Sequence, residues 1–157
     1  FQLLTQAAGR AGRGDRPGEV VIQTYDPEHY AIEASAAQDY EAFYEKEIRY
    51  RSLMGYPPVE NLMAVLAACE DEALLEKACK YLKEYILRIK GQAQLDVIGP
   101  ASPGVDKIKD IYRRVVYVKA PEYRTLVVLK DRMEQYIEIN SGFQKMRIQF
   151  DFNPMNL

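Results

Sequence analysis

A chain of 157 residues, 48% of them apolar, is long enough for one ordinary domain or one small domain with an appendage. Its formal charge of −2 excludes a broadly basic nucleic-acid binder but leaves room for a local basic patch. No apolar run nears the roughly 18 residues of a membrane span, and no signal-peptide pattern opens the chain. Cys69 and Cys79 have neither the spacing nor the partners of a zinc site, and they read as reduced, buried fillers of a cytosolic protein.

In chain order, the first chemistry-bearing stretch spaces Gln6, Arg10 and Arg13 four and three residues apart, with glycines beside both arginines. On a helix these three residues share a face. Glycine removes side-chain bulk and lets the helix approach another surface, at about 1 kcal/mol each in helix stability. Two guanidiniums and an amide in one patch suit a planar, multiply charged oxygen ligand such as a γ-phosphate. The alternative is a surface helix with two solvated arginines. Asp15, Arg16, Pro17 and Gly18 then supply turn chemistry. The β-branched run over residues 19–25 predicts a strand.

Asp26 predicts an N-cap and Pro27 the first position of a helix over residues 27–37. His29, the only histidine, has no neighbouring nucleophile and reads as structural. A second helix begins near Asp39, with Tyr40, Phe43, Tyr44, Ile48 and Leu53 as an apolar stripe. Those aromatics read as core rather than a base-stacking platform. Gly55, Tyr56, Pro57 and Pro58 end that helix and divide the chain into residues 1–58 and 59–157.

The second part opens with an apolar strand over residues 62–68. Glu70, Asp71 and Glu72 then start a helix reaching about Lys90, with Leu74, Leu75, Ala78, Leu82, Ile86 and Ile89 as its stripe. Strands follow over residues 94–98 and 112–119, separated by a turn-rich loop. A last helix carries Leu126, Leu129, Met133, Tyr136 and Ile137, and a final strand covers residues 146–152. The order βαββαβ predicts an α+β, ferredoxin-like domain with two helices over one face of a four-stranded antiparallel sheet. Lys107, Lys109, Tyr112, Arg113 and Arg114 form the densest cationic cluster and are the candidate DNA contacts, partly offset by Asp106 and Asp110. The other reading is a solvated edge strand guarded by lysines.

The Gln6, Arg10 and Arg13 spacing resembles motif VI of superfamily 2 helicases. The words PGEVVIQTYDPEHYAI, YPP, IGPASP and the ending DFNP resemble the primosomal protein N′ (PriA) family of replication-restart helicases, through nearly the whole chain. The resemblance implies the end of a RecA-like helicase lobe followed by the ferredoxin-like terminal domain. It implies an ATP-dependent 3′→5′ DNA helicase that acts in replication restart and primosome assembly. Gln6, Arg10 and Arg13 would sense nucleotide, the arginines as fingers and the glutamine placing phosphate and attacking water. ATP and Mg belong to the longer parent, and its zinc clusters lie upstream, so neither is expected bound here. The expected partners are forked or single-stranded DNA, single-stranded DNA-binding protein and primosome proteins, in a nucleoid-associated cytoplasmic setting without a membrane.

No Gly-x-x-x-x-Gly-Lys-Ser/Thr loop occurs in the chain, so the fragment alone is expected to be inactive, and a truncated lobe is expected to seek a dimer partner. Some relatives use an Arg and a Gln near the start of the last helix to engage the single-stranded DNA-binding protein. Here Tyr123 and Val127 stand at those positions, beside Arg124, so those roles are not carried over. The rival function is a non-catalytic protein-interaction module with an incidental basic loop. Salt separates the two, because phosphate contacts weaken steeply with salt and an apolar docking surface does not.

Overall fold

A computed structural model describes residues 1–11 and 18–154, and the chain divides into two units, Phe1–Met54 and Gly55–Leu157. The first unit contains helices α1 (Gln2–Ala8), α2 (Tyr30–Ala37) and α3 (Tyr40–Met54). Three expectations are corrected here. The helix predicted to align Gln6, Arg10 and Arg13 ends at Ala8, with Gly9 as its C-cap, so Arg10 lies in the following turn. Glycine's conformational freedom disfavours helix continuation at that point. Arg13 lies outside the described residues.

The strand expected over residues 19–25 is also absent: these residues run as irregular chain. A strand exists only when its N–H and C=O groups find a ladder partner, and the described part of this unit offers only helices. The third correction moves a helix start. Asp26, Pro27, Glu28 and His29 form a turn closed by the His29 N–H on the Asp26 carbonyl at 3.3 Å. Pro27 thus serves position i+1 of a turn, which its fixed φ suits as well as a helix start. His29 is the N-cap instead, its Nδ1 accepting the Ala31 N–H at 3.2 Å.

Asp39 caps α3 by accepting the Ala42 N–H at 2.9 Å. Among the described residues of this unit only Ala34 and Ser35 are buried. Its cohesion comes from rings and from a polar clasp. Phe1 stacks on Phe43 at 4.7 Å, and the Tyr30 hydroxyl donates to Glu47, which also accepts from Arg51 Nε at 2.6 Å. The hydrogen bond to the Glu47 carboxylate, helped by burial, pushes Tyr30 up to about 12. Burial opposes ionisation of Glu47, but the hydrogen bonds from Tyr30 and Arg51 prevail and hold it below its ordinary value.

The second unit contains β1 (Asn61–Cys69), α4 (Glu72–Ile89), β2 (Asp96–Ala101), β3 (Lys107–Ile108), β4 (Ile111–Ala120), α5 (Tyr123–Ile139), a short 3-10 turn (Ser141–Phe143) and β5 (Arg147–Phe152). The strands pair antiparallel in the order β2-β4-β1-β5, with β3 added to β4. Leaving β3 aside, this α+β arrangement fits the ferredoxin-like domain. Asp71 caps α4 through the Leu74 N–H at 2.9 Å, and the stripe Leu75, Ala78, Leu82 and Ile86 faces the sheet, each at 3% exposure or less. From below, Met63, Val65 and Ala67 of β1 and Val116, Val118 and Ala120 of β4 meet that stripe and Leu126, Leu129 and Met133 of α5. Each fully buried large side chain contributes roughly 1.5–3 kcal/mol, so this unit holds a core of its own. Cys69 and Cys79 are free and buried within it, and burial pushes the Cys79 thiol up to about 11.

Candidate nucleic-acid interface

The basic cluster sits on a hairpin that sequence periodicity does not announce. Lys107 pairs with Tyr112 and Ile108 with Ile111, which leaves Lys109 and Asp110 as a two-residue turn. Both turn residues have positive φ, 48° and 64°, as the commonest tight hairpin turn requires. Asn-Gly is the usual sequence there, and Lys-Asp is an unusual substitute. The turn holds Lys109 at the tip, exposed.

Alternation along β4 then sends the five candidate residues two ways. Tyr112 and Arg114 share the parity of the core residues Val116 and Val118, on the side of α4 and α5. Lys107 follows Tyr112, its Nζ 4.7 Å from the ring centre and 2.9 Å from Asp110 Oδ1. The hydrogen bond that Lys107 donates to Asp110 raises the Lys107 pKa above its ordinary value. Arg114 is gripped from above: its Nη2 lies 2.8 Å from Glu72 Oε1, and its Nε bonds Glu76 one helical turn further along α4. Its side chain is only 12% exposed, and the bond to Glu76 raises its pKa further. Arg114 therefore ties β4 to α4.

Arg113 faces the other way. In the ladder it lies opposite Ala68, and on the far side of Ala68 lies Arg147 of β5. The two arginines flank one alanine in a row across three strands, on the sheet face away from α4 and α5. Lys109 and Lys145 complete the cationic lining of a groove of about 790 Å³ that reaches from this face round the end of the sheet to Leu74 at the start of α4, with Glu70 and Asp71 as its acidic lining. The Arg113 guanidinium donates to the Val105 carbonyl at 3.3 Å. Among the described residues, Lys109, Arg113, Lys145 and Arg147 make no ion pair. Lys145 and Arg147 were missed by sequence reasoning. The signal was present in the last strand, where exposed Arg147, Gln149 and Asp151 alternate with half-buried Ile148, Phe150 and Phe152.

Residues 52–155 match the model of the family described as the primosomal protein N C-terminal domain. The chain belongs to the primosomal protein N family. It is 34% identical over 98% of its length to the replication restart protein PriA of Bacillus subtilis (strain 168), of which it covers 19%. It is 33% identical over its whole length to the replication restart protein PriA of Synechocystis sp., covering 18% of that protein. A third relative, the replication restart protein PriA of Thermotoga maritima, is 36% identical over 78% of the chain, which spans 16% of it. The chain thus spans about a fifth of the length of the curated relatives it matches.

In this primosomal protein N family member, Gln6 lies on α1 and Arg10 in the turn after it, both exposed. The described residues contain no group of three or more His, Cys, Asp or Glu able to hold a metal ion. No described helix is long and apolar enough to cross a membrane.

Proposed function

We propose that this chain is the C-terminal part of an ATP-dependent 3′→5′ DNA helicase acting in replication restart and primosome assembly. Residues 1–58 would close the second helicase lobe, and residues 59–157 form the terminal domain that contacts fork DNA and partners. The observation that carries this reading is the similarity to replication restart proteins over 98% of the chain, a span that includes the Gln6, Arg10 and Arg13 segment. In the longer protein the two arginines reach the γ-phosphate of Mg-bound ATP, where they offset the charge that develops during transfer, and Gln6 orients the attacking water. The terminal domain meets DNA through the cations of the hairpin, Lys107, Lys109 and Arg113, with Tyr112 and Arg114 shaping the strand that presents them.

The test is Arg10→Ala in a longer protein that also carries the phosphate loop. Arginine fingers are worth about 10³–10⁵ in rate, so ATP turnover should collapse while DNA affinity changes little. Unchanged turnover would remove the nucleotide-sensing role.

One observation favours the rival reading, a protein-docking module without DNA contact. Beside the start of α5, Lys90, Arg124 and Arg132 rim a groove of about 310 Å³ floored by Leu95, Val128 and Leu129. That surface suits an acidic peptide with apolar side chains, and a single-stranded DNA-binding protein is the partner that the family resemblance implies. Binding there should weaken with salt less steeply than DNA binding does, because the apolar floor carries part of it.

A further inference from the structure

We infer that the sheet face opposite α4 and α5 holds a backbone-reading site for duplex nucleic acid, built on Arg113 and Arg147 with Lys109 and Lys145 at its rim. The inference deepens the DNA reading above and rests on it. It moves the contact from one loop of sequence to a row that only the register assembles.

Three features carry it. Arg113 and Arg147 are separated by two inter-strand spacings, about 10 Å, and each stands beside Ala68. That spacing lets two guanidiniums on flexible stems reach different phosphates of the same backbone strand. Alanine between them keeps the floor low, so a sugar–phosphate backbone can lie across the sheet. Guanidinium forks suit phosphate oxygens, and among the described residues the four groove cations have no carboxylate partner to displace. Lastly, among the described residues no aromatic side chain lines the groove; its apolar walls come from Ile108, Ile111 and Leu74. Single-strand binders stack bases on aromatics. A groove with guanidiniums and no ring grips phosphates and ignores sequence. Glu70 and Asp71 also line it, but Asp71 is committed to capping α4, and the cations outnumber the two acids.

The experiment compares Arg113→Gln/Arg147→Gln with a charge-matched control, Lys80→Gln/Arg88→Gln, on the exposed face of α4, all in the 157-residue chain. Fluorescence anisotropy with a labelled duplex, and with a single strand of the same sequence, is measured across a salt series. Circular dichroism checks that each variant is folded. The groove variant should lose at least tenfold in duplex affinity, and its log–log salt slope should shrink by about 1.8, from roughly 0.9 per lost phosphate contact. The control should lose less than about threefold, and the wild-type chain should prefer the duplex. Equal losses in the two variants would mean that net charge alone attracts DNA, and the site would be overturned. Duplex binding that survives in the groove variant would overturn the site while the broader DNA reading stands, and so would a preference for the single strand. Absence of binding by the wild-type chain at about 50 mM salt would overturn both.

Discussion

Arg114→Ala should destabilise the terminal unit by about 2–3 kcal/mol without the loss of DNA affinity that Arg113→Ala brings. The two residues are neighbours in sequence and carry the same charge, but the pleat turns them to opposite sides of the sheet. Arg114 makes charge-assisted bonds to Glu72 and Glu76, and its side chain is 12% exposed. A hydrogen bond to a charged group contributes about 1.5–3 kcal/mol when well protected, and an exposed ion pair about 0.2–1 kcal/mol. The carboxylates here are 49% and 36% exposed and recover water when the arginine is gone, so about 1 kcal/mol per bond is the fair figure. Lost packing of the aliphatic stem adds up to about 1 kcal/mol. At about 4–8 °C per kcal/mol for a unit of about 100 residues, the midpoint of the terminal unit should fall by about 8–24 °C. Urea and thermal denaturation followed by circular dichroism measure the stability, and anisotropy with duplex DNA measures the affinity. A stability change below about 0.5 kcal/mol, together with a DNA loss equal to that of Arg113→Ala, would refute the division of labour between the two faces.

The Lys109 φ of 48° is costly for a side chain with a Cβ, so Lys109→Asn should raise stability by about 0.5–1 kcal/mol while weakening duplex binding; a lower urea midpoint would show that the turn is not strained. Gly99 has φ +107°, and a Cβ there would lie 2.7 Å from the Val115 carbonyl oxygen, so Gly99→Ala should cost roughly 2 kcal/mol or more in a urea titration; a neutral effect would contradict the tight β2–β4 approach. Tyr30 is raised from 10.0 to about 12, so its contribution is full below pH 10 and is lost as pH climbs toward 12. Glu47 is lowered from 4.5, so its contribution is present above that pH and lost as pH falls through its folded value. Exchange of α2 and α3 amides, corrected for intrinsic rates, should therefore be slowest between about pH 5 and 10, and a flat profile would remove the Tyr30–Glu47 clasp.

The terminal unit was readable because its stripes bury themselves. Leu75, Ala78, Leu82 and Ile86 recur at helical spacing, and all reach the core; the apolar run over 62–68 reads as a strand, Met63, Val65 and Ala67 turning to the helices while Leu62 and Ala64 are buried on the other parity. What failed depended on partners that local sequence cannot supply. The β-branched run over residues 19–25 has strand propensity, but propensity without a ladder partner forms no strand. The proline at Pro27 fits a turn and a helix start equally, and the His29 ring took the capping place that Asp26 was expected to hold. The hairpin at Lys109 and Asp110 was hidden because neither residue advertises positive φ.

The groove was half visible. Arg113 could be picked out of a basic cluster, and the parity of Arg147 could be read from its strand. That both flank Ala68 is a fact of register, set by pairing between segments far apart in sequence. The same alternation that sets Arg114 under α4 turns half-buried Arg113 to the opposite face, and a composition count treats the two alike.

Chemical-shift mapping of the 15N-labelled chain with a short duplex tests the DNA-binding face most directly. Adding duplex at about 50 mM salt should move the amides of Ala68, Arg113 and Arg147 and those of the hairpin tip around Lys109. The amides of α5, and of α4 beyond its first turn, should stay in place, and raising the salt to about 200 mM should reverse the shifts. Shifts concentrated on α4 and α5, or shifts indifferent to salt, would contradict a phosphate-binding groove on the opposite face.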